Sequence, residues 1–172
     1  MKKVIIAVLL VIAAVITAGC GGGNETAAKN LFTDHLKLEE HCLNTGDVPD
    51  KTVVFDKYFW EGSRKSSYHG EQWWDNTVRM ANQTAGNVKV QYDIVDIESH
   101  SVMDKEKDVR TAEQAVKQVE VGLSDMQEVT ATVKLTLSQG SEKKTVTHQY
   151  KALVCFINNP KRAFISEIAM VR

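Results

Sequence analysis

The sequence predicts an α+β domain in which helices pack on one face of a curved antiparallel sheet. Three observations predict it. Apolar residues recur at spacings of three and four over residues 25–44 and 71–84, the period of an amphipathic helix. Apolar and polar residues alternate singly over 88–94 and 131–137, the period of a half-buried strand. Most of the helical pattern precedes most of the strand pattern, the order of an α+β layout rather than a βαβ repeat.

Taken in order, the chain opens on MKKVIIAVLLVIAAVITAGC. Lys2 and Lys3 lead, Val4 to Ala18 carries no charge, and Ala18, Gly19 and Cys20 are small. This is the order of a secretory signal. The apolar run is shorter than the ~20 residues of a membrane-spanning helix. Ile16-Thr17-Ala18-Gly19-Cys20 resembles the lipobox of bacterial lipoproteins, with Thr17 where Leu is usual. The resemblance implies cleavage between Gly19 and Cys20 and a diacylglycerol on the Cys20 thiol. It divides the chain into a lipoprotein signal peptide (1–19), a lipidated cysteine with a glycine-rich tether (20–24) and a single α+β domain (25–172). An uncleaved anchor and a cleaved signal with unmodified Cys20 are the alternatives.

Residues 25–44 form the first expected helix, with Ala28, Leu31, His35, Leu38 and Cys42 as its stripe and Phe32 and Leu43 widening it. Asn24 is placed to cap it and Gly46 to end it. His35 reads first as a core histidine. With Glu39 it would make a metal pair on one face, but no third ligand is in view. Residues 44–49 are a turn by composition. Residues 53–60 read as a short strand or an irregular packed segment, and 61–70 as a polar loop. Helix 71–84 carries the stripe Trp74, Val78, Ala81 and Ala85, with Trp73 off it, half exposed or lining a cavity.

The first strand alternates Val88, Val90, Tyr92 and Ile94. At Val95 the phase slips, which predicts a bulge or burial of both faces. Residues 104–108 are charged, and Val109, Ala112, Val116, Val119 and Leu123 predict a further helix over 108–123. A meander follows: a strand through Ala131–Leu137, a turn at 138–141, a central strand over 146–157, a turn at 158–161 and a last strand over 163–171.

The helix ending in Asn44-Thr45-Gly46-Asp47, the bent strand from Val88 and the closing Phe164-Ile165-Ser166-Glu167-Ile168 resemble the NTF2-like superfamily, and more narrowly small lipoproteins of the DUF4878 type. Phe164 stands where Trp is frequent. The resemblance implies a sheet wrapped around helices as a cone with a conical pocket. Trp73, Tyr92, His35, His148 and Glu167 are the candidate pocket residues.

Chemistry is sparse. Acidic and basic residues interleave, and loss of Lys2 and Lys3 takes the formal charge from −1 to −3, so no basic block exists to grip nucleic acid. Cys42 and Cys155 either form one disulfide or are two buried thiols. No spacing points to a metal or a cofactor, and no nucleophile motif appears. Gln118-Val119-Glu120-Val121-Gly122 fits the QxVxG loop of cystatin-type protease inhibitors, though Val119 also fits the expected helix. The sequence thus points to a lipoprotein held through Cys20 on the extracytoplasmic side of a membrane. Its domain reads as a non-catalytic module for a small ligand or an envelope protein. A small hydrolase or isomerase in the same pocket is second, and a cystatin-like inhibitor third.

Overall fold

The computed structural model describes residues 22–103, 122–158 and 161–171. Among them are three helices, α1 (Gly22–Thr45), α2 (Lys51–Lys57) and α3 (Arg64–Thr84), and four strands, β1 (Lys89–Ser101), β2 (Leu123–Gln139), β3 (Glu142–Asn158) and β4 (Lys161–Val171). The strands form one open antiparallel sheet in the order β1-β2-β3-β4, so β3 is an inner strand as expected. The domain is α+β, with its main core between the helices and one face of the sheet. Ala28, Phe32 and Leu36 of α1, Val54 and Phe55 of α2 and Trp73 of α3 pack on Val129, Ala131 and Val133 of β2 and Ala152 and Val154 of β3. We call this the inner face. The outer face carries Thr130, Lys134 and Lys151, except at one end, where Cys155, Ile157 and Phe164 pack with Trp60, Leu123 and Met126.

Several elements differ from expectation, each for a physical reason. Residues 51–57 are helical despite Thr52, Val53 and Val54, because Val54, Phe55, Tyr58 and Phe59 recur with a helix period and all four are buried. Burial here outweighs the small helix penalty of β-branched residues. α3 begins inside the expected loop. Ser63 caps it, its side chain accepting from the Ser66 N–H. Its buried positions are Ser66, Gly70, Trp73, Thr77 and Ala81, so the stripe is rotated from Trp74 and Val78 onto small and polar residues. A Cβ at Gly70 would stand 2.8 Å from both Phe55 Cζ and Phe59 Cγ, so only glycine lets α3 approach α2 this closely. The expected helix over 108–123 lies outside the described residues apart from Gly122 and Leu123, and Leu123 opens β2.

The bulge is present. The β1–β2 register shifts between Ile94 and Asp96, and Val95 is exposed, which removes the option that both faces are buried there. The β2–β3 connection is the two residues Gly140-Ser141, with Gly140 at φ 57°. Gly46 (φ 77°) ends α1, its N–H donating to the Cys42 carbonyl. At the other end Asn24 is inside α1 rather than its cap. Its amide reaches across to Asp125 at 2.9 Å. Gly22 and Gly23 also belong to α1, and Cys20 and Gly21 lie outside the described residues.

Each sheet edge is partly covered by side chains or backbone of this chain. On β1, Asn44 accepts from the Val90 N–H and donates to the Val90 carbonyl, each at 2.8 Å, and Glu40 accepts from the Tyr92 N–H at 2.7 Å. On β4, the Ile165 N–H donates to the Tyr58 carbonyl and Ser66 Oγ donates to the Ile165 carbonyl. Such pairing blunts the tendency of open edges to recruit further strands.

Candidate functional site

One polar group of the inner core is centred on two residues one turn apart on α1, His35 and Glu39. They share a face because residues four apart on a helix stand one above the other.

Glu39 is fully engaged. Its Oε2 accepts from the Trp73 indole at 2.7 Å and its Oε1 from the Tyr92 hydroxyl at 2.8 Å. The carboxylate therefore ties α1 to α3 on one side and to β1 on the other. Burial, then the Glu39 charge and its hydrogen bond, push the Tyr92 phenol well above the usual tyrosine range. Burial followed by the same charge pushes Tyr150 up to about 12. Both phenols stay protonated, and Tyr92 acts as a donor.

His35 is the opposite case. It is 0% exposed, and neither ring nitrogen has a hydrogen-bond partner. Its surroundings are aromatic: Tyr58 and Phe59 meet it edge-on at centroid distances of 5.6 and 5.5 Å, and Trp73 lies tilted at 4.9 Å. Desolvation pulls its pKa down to about 3, so the ring is neutral at ordinary pH. An unsatisfied buried polar group costs on the order of 1–3 kcal/mol. Trp73 links the two residues, its ring tilted against His35 while its indole N–H donates to Glu39.

The expected pocket residues thus separate into two groups. His35, Trp73 and Tyr92 come together around Glu39. His148 is on the inner face of β3, 6.4 Å from the Tyr150 ring and opposite Val133. Glu167 is not in the inner core: its carboxylate pairs with Lys65 at 3.1 Å near the surface. His35, His148 and Glu167 therefore do not converge. Trp73 is the buried tryptophan, and Trp74, only partly buried, donates to the Pro49 carbonyl. Glu39 was visible in the sequence only as a weak metal partner of His35. The signal for its real role was its position one turn from a histidine on the apolar face, opposite a strand carrying Tyr92. Among the described residues no three His, Cys, Asp or Glu side chains are grouped to hold a metal.

The two thiols are buried and free. They are at opposite ends of the domain. Asn44, two residues beyond Cys42, is bonded to Val90, which pairs with Leu137, whereas Cys155 pairs with Met126. Leu137 and Met126 stand roughly 36 Å apart along β2 at ~3.3 Å per residue, far beyond the ~7 Å Cα separation a disulfide tolerates. Burial raises Cys42 to about 11 and Cys155 to about 12, so neither is a thiolate nucleophile.

Around this core the described surface includes shallow grooves at two places. One, of about 310 Å³, follows the α1–β1 seam along Leu36, Lys37, Tyr92 and Ile94. The other, of about 250 Å³, is at the β2–β3 turn beside Val88, Leu137 and Lys144. Compared with known proteins, the chain matches no family model, no curated protein and no solved structure.

Proposed function

We propose that this chain is a lipid-anchored extracytoplasmic protein whose folded part is a non-catalytic binding module with an NTF2-like cone. The anchor rests on Ile16-Thr17-Ala18-Gly19-Cys20 and on the charged, apolar and small-residue order before it. The observation that carries the module is the packed inner face. The place where an enzyme of this shape would keep a substrate chamber is filled by Phe32, Leu36, Phe59 and Trp73. Glu39 spends both oxygens on structural donors, and the His35 imidazole is wholly buried. Contact with a ligand or an envelope protein then falls to the surface, along the seam groove and the uncovered part of the inner face.

Two measurements test this. Mass spectrometry of the membrane fraction is expected to find an N-terminal peptide beginning at lipid-modified Cys20; a mature chain that starts elsewhere with Cys20 unmodified removes the anchor. The protein is also expected to turn over none of a panel of esters, amides and glycosides. Turnover that His35→Ala, His148→Ala or Glu167→Ala abolishes would establish the hydrolase or isomerase reading instead. The inhibitor reading rests on Gln118–Gly122, of which only Gly122 is among the described residues. Inhibition of a papain-type protease by the intact chain tests it.

A further inference from the structure

The arrangement around His35 has the parts of an acid-operated release. His35 is wholly buried with both nitrogens unpartnered, while Glu39, one turn along α1 on the same face, is held by Trp73 and Tyr92. The groups facing His35 are few. α1 supplies Glu39, the end of α2 supplies Tyr58 with Lys57 5.0 Å over its ring, and α3 faces it with Trp73, its own ionisable side chains all at least partly exposed. Beyond Glu39, the sheet supplies the hydroxyls of Tyr92 and Tyr150. Among the described residues neither nitrogen of His35 has a hydrogen-bond partner, so a proton on the ring meets no acceptor already in place.

We propose that His35 and Glu39 form an acid-operated latch: a proton taken from solvent by His35 draws Glu39 away from Trp73 and Tyr92 and so loosens α1 from α3 and β1. The proton enters only when the interface opens to water, and the new His35–Glu39 ion pair then holds the interface apart. Opening uncovers the apolar inner face beneath, including Val129, Val133 and Val154. The device holds whatever the module binds.

The sign follows from the burial. The folded-state pKa of His35, about 3, is below its ordinary value of 6.5, so the open state binds the extra proton and closure weakens as pH falls from 6.5 toward 3. Between pH 7.5 and pH 5 the His35 contribution multiplies the opening constant roughly 30-fold. The test uses the full chain in detergent micelles, with urea unfolding at both pH values and the Trp73 indole N–H resonance followed by NMR. The parent is expected to show this roughly 30-fold change over and above that of His35→Phe; equal changes in both proteins overturn the proposal. If His35→Phe does not fold, the parent decides alone. Its His35 ring is expected to stay neutral until the Trp73 indole resonance moves, and protonation of His35 with Trp73 unmoved overturns the latch. Glu39→Gln keeps one acceptor oxygen, for the Trp73 indole, turns the other contact into an amide N–H that donates to the Tyr92 hydroxyl, and removes the counter-ion. Trp73 is then expected to be released only with global unfolding, and an early acid step unchanged in Glu39→Gln also overturns the proposal.

Discussion

The inner face of the sheet has two parts built from the same strands. Over Val129, Ala131, Val133, Ala152 and Val154 the three helices press down, and every one of those side chains is at most 1% exposed. Toward the β2–β3 turn and the end of β4, the same alternation continues through Leu137, Val146 and Met170, which are 36%, 37% and 52% exposed. Strand period determines which face a residue takes; it does not determine whether anything covers that face. The covered part uses small and β-branched residues because helices need a close approach there. The bare part keeps Leu137, Val146 and Met170 with none of the three described helices pressed on them. Stability should therefore reside in the first part and contact with partners in the second. Each substitution below tests that division.

The largest effect is expected from Phe59→Ala. Phe59 is 0% exposed and touches Phe55, Trp73 and His35 through ring contacts. Its loss should cost about 3–5 kcal/mol, as for other large-to-small core changes, seen as a lower urea midpoint. A loss below about 1 kcal/mol would place the stabilising core elsewhere.

Gly70→Ala should follow, at about 1–3 kcal/mol. The added methyl meets Phe55 and Phe59 at 2.8 Å, and both rings are boxed in by their neighbours. The α3 helix must shift, so near-ultraviolet circular dichroism should weaken while the far-ultraviolet helix signal is kept. An unchanged midpoint would show that the α2–α3 contact has slack.

Those two sites also explain what the sequence could and could not reveal. The α+β class, the bulge near Val95 and the meander were legible, because alternation and turn residues are local signals. The buried stripe of α3 was not legible, since Ser66, Gly70 and Thr77 are buried for reasons other than hydrophobicity. Ser66 donates to the Ile165 carbonyl, and Gly70 makes room for two rings. α2 was misread for the reverse reason: its β-branched residues favour strand locally, and only contact with the rest of the core makes it a helix. At the site, His35 was legible as a core histidine. The role of Glu39 was hidden, because its partners Trp73 and Tyr92 come from elements 34 and 53 residues away.

Asn44→Ala tests the border of the covered part. It removes both hydrogen bonds to Val90 on the β1 edge and leaves that backbone pair without its partner. A cost of about 1–3 kcal/mol is expected, since the orphaned groups sit beside buried Leu43 and Ala81. The freed edge should also aggregate faster at high concentration. Asn44→Asp, which keeps one acceptor for the Val90 N–H but loses the donor, should fall between Ala and the parent.

The smallest effect on stability belongs to the bare part. Leu137→Thr and Val146→Thr each place a strand-compatible polar residue where none of the described helices lies. Neither should move the urea midpoint by more than about 0.5 kcal/mol. Both remove apolar surface from a patch bordered by Lys144 and His148. Exposed apolar residues on the face of a sheet carry little folding energy, because they gain little burial; they retain the capacity to gain it on contact with something else. The double variant should therefore fold as the parent does and recover less of any ligand or envelope protein that co-purifies with it. A midpoint loss above about 1 kcal/mol in either single variant would mean that this corner is part of the core after all, and that the division between holding the fold and meeting a partner does not run where the helices stop.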